Sequence, residues 1–450
     1  MRLFARMAAR LAATAFIAAM LVDTGVQSAT ATTIERVTSP GGIEVWVVRD
    51  PAVPLIAVDF AFRGGANQDP ADKPGIANLA IDLLDEGAGE LDSKAFKDRL
   101  ERRAIELSFQ AGRDYVRGTL RTLKENRDEA FELLRLAVTA PRFEAKDIER
   151  VRAQTMSRLQ RQTTSPNDIA SKTWWETAFP DHPYGRPVLG TLESVPLINA
   201  ADMRGYTKRI LARDTLKIAV VGDIDLESVG RLVDHAFGTL PAKSGLVSIA
   251  DATPRGLGRR IVVDLDVPQA SVTFGGVGVS RNDPDFMAAF IVNHILGGGS
   301  FSSRLYREVR EKRGLAYGVF DTLVWLNHAA VLIGGTATRS DATGQAIQVI
   351  EDEFRQMAQD GPTEEEVAKA KTYLKGSFAL GLDTSSKIAN QLVQMQIDNL
   401  GIDYIDRRSA LIDAVTLADT KRVAKRLLEP GMLVTVTGRP QGVTSKGAGE

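Results

Sequence analysis

Residues 296–317 read LGGGSFSSRLYREVREKRGLAY. The order is a glycine loop, a basic amphipathic helix, a break at Gly314 and the start of a strand. Gly297, Gly298 and Gly299 permit positive φ and a close backbone approach. Ser300, Ser302 and Ser303 offer N-caps to the helix that follows. Leu305 and Val309, four apart, share its buried face. Gly314 suits a left-handed residue just past the helix end. Leu315, Tyr317 and Val319 then alternate as a half-buried strand does. A glycine run before a helix can cradle a phosphate. That reading fails here, because the GxxxxGK[ST] order is missing and the upstream PDFMAAFIVNHIL is helical rather than a strand. Residue types alone leave open a tight turn followed by a solvated, charged helix.

The longer run SSRLYREVREKRGLAYGV, residues 302–319, closely resembles the C-terminal half of the M16 (pitrilysin-like, insulinase-type) metallopeptidases. In that family an Arg and a Tyr of this stretch form a pair that contacts substrate beside a zinc held by the other half-molecule. By motif the pair falls on Arg310 and Tyr317. The resemblance makes Gly297, Gly298 and Gly299 the place where substrate or a partner strand comes close.

Outward from this stretch, composition narrows the field. The chain has 450 residues, enough for two domains. Charged residues are 25% and hydrophobic ones 44%, as in ordinary globular proteins. Net charge is −1 with no basic stripe, which argues against nucleic acid. There are no cysteines, so disulfides, thiol catalysis and Cys-based zinc sites are excluded. Arg2, Arg6 and Arg10 precede the apolar LAATAFIAAMLV, and Ala29-Thr30-Ala31 supplies a small-x-small site. Residues 1–31 read as a secretory signal peptide, too short for a convincing membrane span. The expectation is a periplasmic protein with no membrane association after cleavage.

The chain repeats itself. Val53-Pro54 before LIAVDF is echoed by Val267-Pro268 before QASVTF. Leu83-Leu84 before Gly87 is echoed by Ile295-Leu296 before Gly297. LKIAVVG ending at Gly222 is echoed by LVTVTG ending at Gly438. The offset stays a little over two hundred residues throughout, which implies two homologous domains. The expected layout is a first domain at 32–242, a linker at 243–258 rich in Ser, Gly, Ala and Pro254, a second domain at 259–441 and a disordered tail at 442–450. Helices are expected at 125–138, with Ala130, Leu133, Leu134 and Ala137 on one face, at 147–162, at 343–357 and at 363–374. Thr363 and Glu366 form a capping box. Blocks of strands and helices argue an α+β fold. The M16 resemblance implies two α+β domains, each a mixed sheet with helices packed on one face.

An M16 catalyst carries His-x-x-Glu-His on a helix, so that two imidazoles four residues apart reach one zinc while the Glu activates its water. Here the matching stretch is GIANLAID. Asn78 stands at the first His, Ile81 at the general base and Asp82 at the second His; the third ligand position falls near Arg158. Val151 replaces a supporting Glu. An amide is a poor zinc ligand, isoleucine moves no proton and an arginine repels the cation. His182, His235, His294 and His328 form no metal-spaced pair. His182 lies in DHPYGRPVLG, which also resembles the M16 first domain. GxSxG and SxxK signatures are missing, and Asp85, Glu86 and Asp92 read as exposed loop carboxylates. The resemblance therefore implies a half-length, non-catalytic M16 subunit with no metal of its own. Zinc is expected in a partner chain that forms a heterodimer with it and cleaves peptides. Two other readings stay open: a binding or assembly protein with no part in proteolysis, and a stand-alone peptidase using an unrecognised site.

Overall fold

The structure, a computed structural model, describes residues 33–447; the expected signal segment lies outside them. Eleven strands are found among the described residues, in two sheets. The first holds β1 (Glu35–Thr38), β2 (Glu44–Arg49), β3 (Leu55–Arg63), β4 (Glu106–Ala111), β5 (Tyr115–Leu123) and β6 (Lys217–Gly222), in the order β1-β2-β6-β3-β5-β4. The second holds β7 (Arg260–Val263), β8 (Gln269–Val277), β9 (Ala316–Trp325), β10 (Ala330–Arg339) and β11 (Leu433–Thr437), in the order β7-β11-β8-β10-β9. Without β1 the two orders are the same. β2 runs parallel to β6 as β7 does to β11, and all other neighbours are antiparallel. A glycine at φ +144° closes the last strand of each repeat: Gly222 is the final residue of β6 and Gly438 directly follows β11. A Cβ on Gly222 would sit 2.0 Å from the Leu55 carbonyl oxygen, so the repeated glycine marks a tight crossing of two strands.

The first half carries α1 (Ile76–Asp82), α2 (Ser93–Arg102), α3 (Arg127–Thr139), α4 (Ala145–Gln162), α5 (Pro166–Ala178), α6 (Ala200–Ile210) and α7 (Leu226–Phe237). The second carries α8 (Phe286–Asn293), α9 (Thr343–Asp360), α10 (Glu364–Leu380), α11 (Ser385–Ile397), α12 (Tyr404–Ala414) and α13 (Leu417–Leu428). The apolar stripe of α3 is as the spacing predicts, with Ala130, Leu133, Leu134 and Ala137 fully buried. The Thr363 capping box opens α10. Among the described residues no helix is long and apolar enough to cross a membrane.

One face of each sheet meets helices of its own half. Ile56, Val58, Phe60 and Phe62 of β3 enter the first core, and Ala270, Val272 and Phe274 of β8 enter the second. The opposite faces are built from smaller residues, and a helix from the other half covers them. α11 lies on the first sheet, where Asn390 Nδ2 donates to Asp59 (3.1 Å) and Gln396 Nε2 to the Ile218 carbonyl (2.8 Å). Reciprocally, α5 lies on the second sheet. Trp174 is fully buried there with its indole N–H on the Leu433 carbonyl (3.2 Å), and Thr435 Oγ1 donates to the Ala170 carbonyl (2.8 Å). The exchange explains why β3 is buried on both faces although its sequence alternates around Asp59.

The tail departs from expectation up to residue 447. Val443 is buried, Lys446 pairs with Arg260 across a β-bridge, and Ser445 Oγ accepts the Val262 N–H at 3.0 Å. The Gly-, Ser- and Lys-rich composition that suggested disorder hides one apolar anchor and an open strand edge at β7.

Candidate functional site

The stretch 296–317 folds less regularly than its amphipathic pattern implies. α8 runs on into a π-helical turn at His294–Gly298, and a second π-helical turn spans Tyr306–Glu311. In the latter the Lys312 N–H reaches back five residues to the Arg307 carbonyl (2.9 Å). Such turns insert one residue into a helix and turn the downstream side chains about its axis. Leu305 and Val309 stay fully buried, and Gly314 ends the segment at φ +61°. The glycine triplet differs from expectation: none of the three adopts positive φ. Their need for hydrogen is steric. A Cβ on Gly297 would lie 2.6 Å from the Asp321 carboxyl carbon and 2.7 Å from the Asp321 backbone nitrogen, and one on Gly299 would lie 2.6 Å from the His294 carbonyl oxygen. Gly297 is buried and Gly298 exposed, so the close approach these glycines permit is to their own strand and helix.

Tyr317 does not share the inward face with Leu315 and Val319, as plain alternation predicts. The pairing of β9 with β10 slips between Thr336, opposite Val319, and Thr338, opposite Ala316. Tyr317 and Gly318 thus bulge opposite a single residue. A bulge re-aims a side chain, and here it turns Tyr317 outward to 84% exposure while Ala316 takes the buried place. Thr336 Oγ1 holds the bulge through the Gly318 carbonyl at 2.8 Å.

Arg310 lies against this ring. Its guanidinium carbon is 4.4 Å from the Tyr317 centroid and 4.9 Å from that of Tyr306, whose hydroxyl accepts from Arg310 Nη1. Cation–π contact on two sides fixes the charge without neutralising it. The other cations of the run all pair with a carboxylate. Arg304 pairs with Glu366 at 2.7 Å, while Arg307 (3.2 Å), Lys312 (2.8 Å) and Arg313 (2.8 Å) converge on Glu308. Burial opposes ionisation of Glu308, yet the hydrogen bonds from Lys312, Arg313 and Arg307 hold its carboxyl down to about 2. Of the basic residues at 304–313, Arg310 is the one without a carboxylate within 4.0 Å among the described residues. Tyr306 gave no sequence signal beyond its place four residues before Arg310. Exposed Phe301, edge-on to Tyr306 at 5.0 Å between centroids, gave none.

The four positions that correspond to a zinc site come together on α1 and α4, and their chemistry does not fit the ion. Asn78 Nδ2 donates to Asp82 at 2.9 Å, Ile81 is fully buried, and the Arg158 charge acts on Asp82 from α4. Burial pushes the Asp82 carboxyl up, and the Asn78 hydrogen bond and Arg158 pull it back. An amide hydrogen-bonded to a lone carboxylate, with a guanidinium nearby, leaves no set of imidazole and carboxylate donors for zinc. Among the described residues no cluster of three or more His, Cys, Asp or Glu could hold a metal. The other candidates have structural work. Asp92 caps α2 through the Ala95 N–H, and Glu86 receives Ser93, Lys97 and Arg150. His182 bonds the Ala250 carbonyl, His235 Glu132 and His328 Asp251, while buried His294 stacks on Tyr373.

A duplicated α+β chain whose would-be metal positions lack a set of zinc donors has the character of an inactive-type member of a peptidase family. Comparison with known proteins agrees. Residues 45–192 match the model for insulinase, peptidase family M16, and residues 197–374 match that for the peptidase M16 inactive domain. The chain belongs to peptidase family M16. An uncharacterized zinc protease of Streptomyces coelicolor is 26% identical over 412 residues, covering 90% of each chain. A non-peptidase homolog of Helicobacter pylori is 26% identical over 339 residues, 75% of this chain and 78% of that one. The crystal structure of a peptidase M16 inactive domain from Pseudomonas fluorescens superposes with a TM-score of 0.85 at 26% identity, covering 92% of this chain and all of the other.

Proposed function

We propose that this chain is the non-catalytic subunit of a heterodimeric M16 zinc metallopeptidase, exported to the periplasm. It lends Arg310 and Tyr317 to a zinc-bearing partner that cleaves peptides or unfolded proteins. The observation that carries this reading is Arg310: a cation without a carboxylate partner, held between two tyrosine rings beside an outward-turned hydroxyl, in a run where every other cation pairs with a carboxylate. A merely solvated helix needs no such arrangement. The partner's zinc supplies the activated water. On this chain, the remaining guanidinium N–H groups of Arg310 and the Tyr317 hydroxyl donate to the peptide backbone and to the oxygen on which charge develops.

The test is reconstitution with an M16 chain bearing an intact His-x-x-Glu-His. Removing one donor of this kind costs about 2.7–4 kcal/mol in the transition state, so Arg310→Ala lowers kcat/KM by roughly 10²–10³. Tyr317→Phe, which keeps the ring under Arg310, falls in the same direction. Cleavage within twofold of the unmutated complex for both variants would refute the assignment. One relative is described as a non-peptidase homolog, which lends weight to a second reading. A stable complex with a partner lacking the zinc motif, and without peptidase activity, would establish this chain as an assembly protein.

A further inference from the structure

Beside the broken metal position lies a cavity of about 660 Å³ between α4, α5 and the loop at 185–193. Three arginines line it: Arg113, Arg158 and Arg186. None has a carboxylate within 4.0 Å, and none makes a side-chain hydrogen bond among the described residues. The Nε atoms of Arg113 and Arg186 are buried without any partner. A buried guanidinium nitrogen without a partner is costly, and the acids that act on these arginines, Asp114 on Arg113, Asp82 on Arg158 and Asp69 on Arg186, do so only from beyond ion-pair distance. Here two are held in place. Arg113 stacks on Trp175 with its guanidinium carbon 3.9 Å from the ring centroid, and Arg186 follows the short helical turn Pro183–Gly185. Lys172, on the same wall, already faces Glu176 at 3.6 Å. The remaining acids of the wall, Asp168 and Glu193, pair with none of the three.

We propose that this cavity binds a multiply charged oxyanion, a small di- or tricarboxylate or a condensed phosphate, on Arg113, Arg158 and Arg186. Guanidinium forks match planar carboxylate and phosphate oxygens in pairs. Three cations lining one space favour a ligand with more than one charge. The volume holds a molecule of citrate or pyrophosphate size. The site goes beyond the subunit role above and does not depend on it, since the cavity is lined by residues of the first half while Arg310 and Tyr317 belong to the second.

Isothermal titration of the full chain with citrate, pyrophosphate and inorganic phosphate at constant ionic strength tests this. Saturable binding of citrate or pyrophosphate is expected, with inorganic phosphate weaker. Whichever of the first two is tighter decides between a carboxylate and a phosphate ligand. Arg158→Gln alters an exposed side chain that bonds nothing, so it keeps the fold. It is expected to weaken binding about tenfold, with Arg186→Gln at least as severe. Arg355→Gln, an exposed arginine paired with Asp352 on α9, leaves affinity unchanged. No saturable binding by the folded chain, or an Arg158→Gln affinity within twofold of the parent, would overturn the proposal.

Discussion

At the scale of single residues, the difference between a structural and a functional side chain lies in what it touches. Arg310 was visible in the sequence as a motif position within a run of cations; what the structure adds is that its neighbours pair with carboxylates while Arg310 rests on two tyrosines and has no carboxylate within 4.0 Å. Tyr317 was visible as a motif position, yet simple alternation would have buried it. Both points give stability predictions that separate fold from function. Tyr317 is exposed and bonds nothing structural, so Tyr317→Ala changes unfolding free energy by no more than roughly 0.5 kcal/mol. Urea denaturation checks it, and a larger loss would mean that the ring has a packing role. Glycines give the opposite case. Gly222→Ala sets a methyl 2.0 Å from the Leu55 carbonyl at a φ of +144°, and Gly297→Ala sets one 2.7 Å from the Asp321 nitrogen. Each is expected to cost about 1–3 kcal/mol. Of the two, only Gly297→Ala is expected to lower activity of the reconstituted complex in proportion, because Gly297 supports the strand that carries Tyr317.

Elements were legible where local chemistry fixes them. The α3 stripe, the Thr363 capping box and the left-handed Gly314 follow from spacing and residue type, and all are present. The π-helical turns and the bulge were not legible, because each is a one-residue insertion set by tertiary pairing; only the slip between Thr336 and Thr338 records the bulge. Three cations in and just past the π-helical turn at Tyr306–Glu311 converge on Glu308, and this makes the element sensitive to acid. The Glu308 and Glu366 carboxyls, ordinarily near 4.5, are held at about 2 in the folded chain. A depressed folded value means stability that is present above the unfolded value and lost as pH falls toward the folded one. The melting temperature of the parent is therefore expected to fall between about pH 4.5 and pH 2. Glu308→Gln and Glu366→Gln start lower at pH 7 and fall less over the same window. Parallel curves for parent and variants in a pH series of thermal melts would show that these ion pairs contribute nothing.

For the whole molecule, the internal repeat told that there are two domains but not how they hold together. Periodicity reports which face of an element is apolar, not which neighbour covers it. Nothing in PNDIASKTWWETA or SSKIANQLVQMQI states that α5 serves the second sheet and α11 the first. The trace that existed was β3, whose second face offers Ala57, Asp59 and Ala61, small or polar residues that suit a close helix better than open water. Exchanged helices have a thermodynamic consequence. If each half kept its own cover, the halves would unfold separately, as multi-domain chains commonly do. Here unfolding either half strips a helix from the other, so neither sheet stays covered alone. The chain is expected to melt in a single calorimetric transition, with calorimetric and van't Hoff enthalpies that agree. Trp174 is the sharpest probe. It belongs to the first half by sequence, yet is buried under the second sheet, close enough to Gly275 that a Cβ there would meet its ring at 3.0 Å. Trp174→Ala is expected to cost about 3–5 kcal/mol and to lower that single transition as a whole. Two resolved transitions, with only the second half's shifted by the substitution, would show that the exchanged helices bind the halves too weakly to make them one cooperative body.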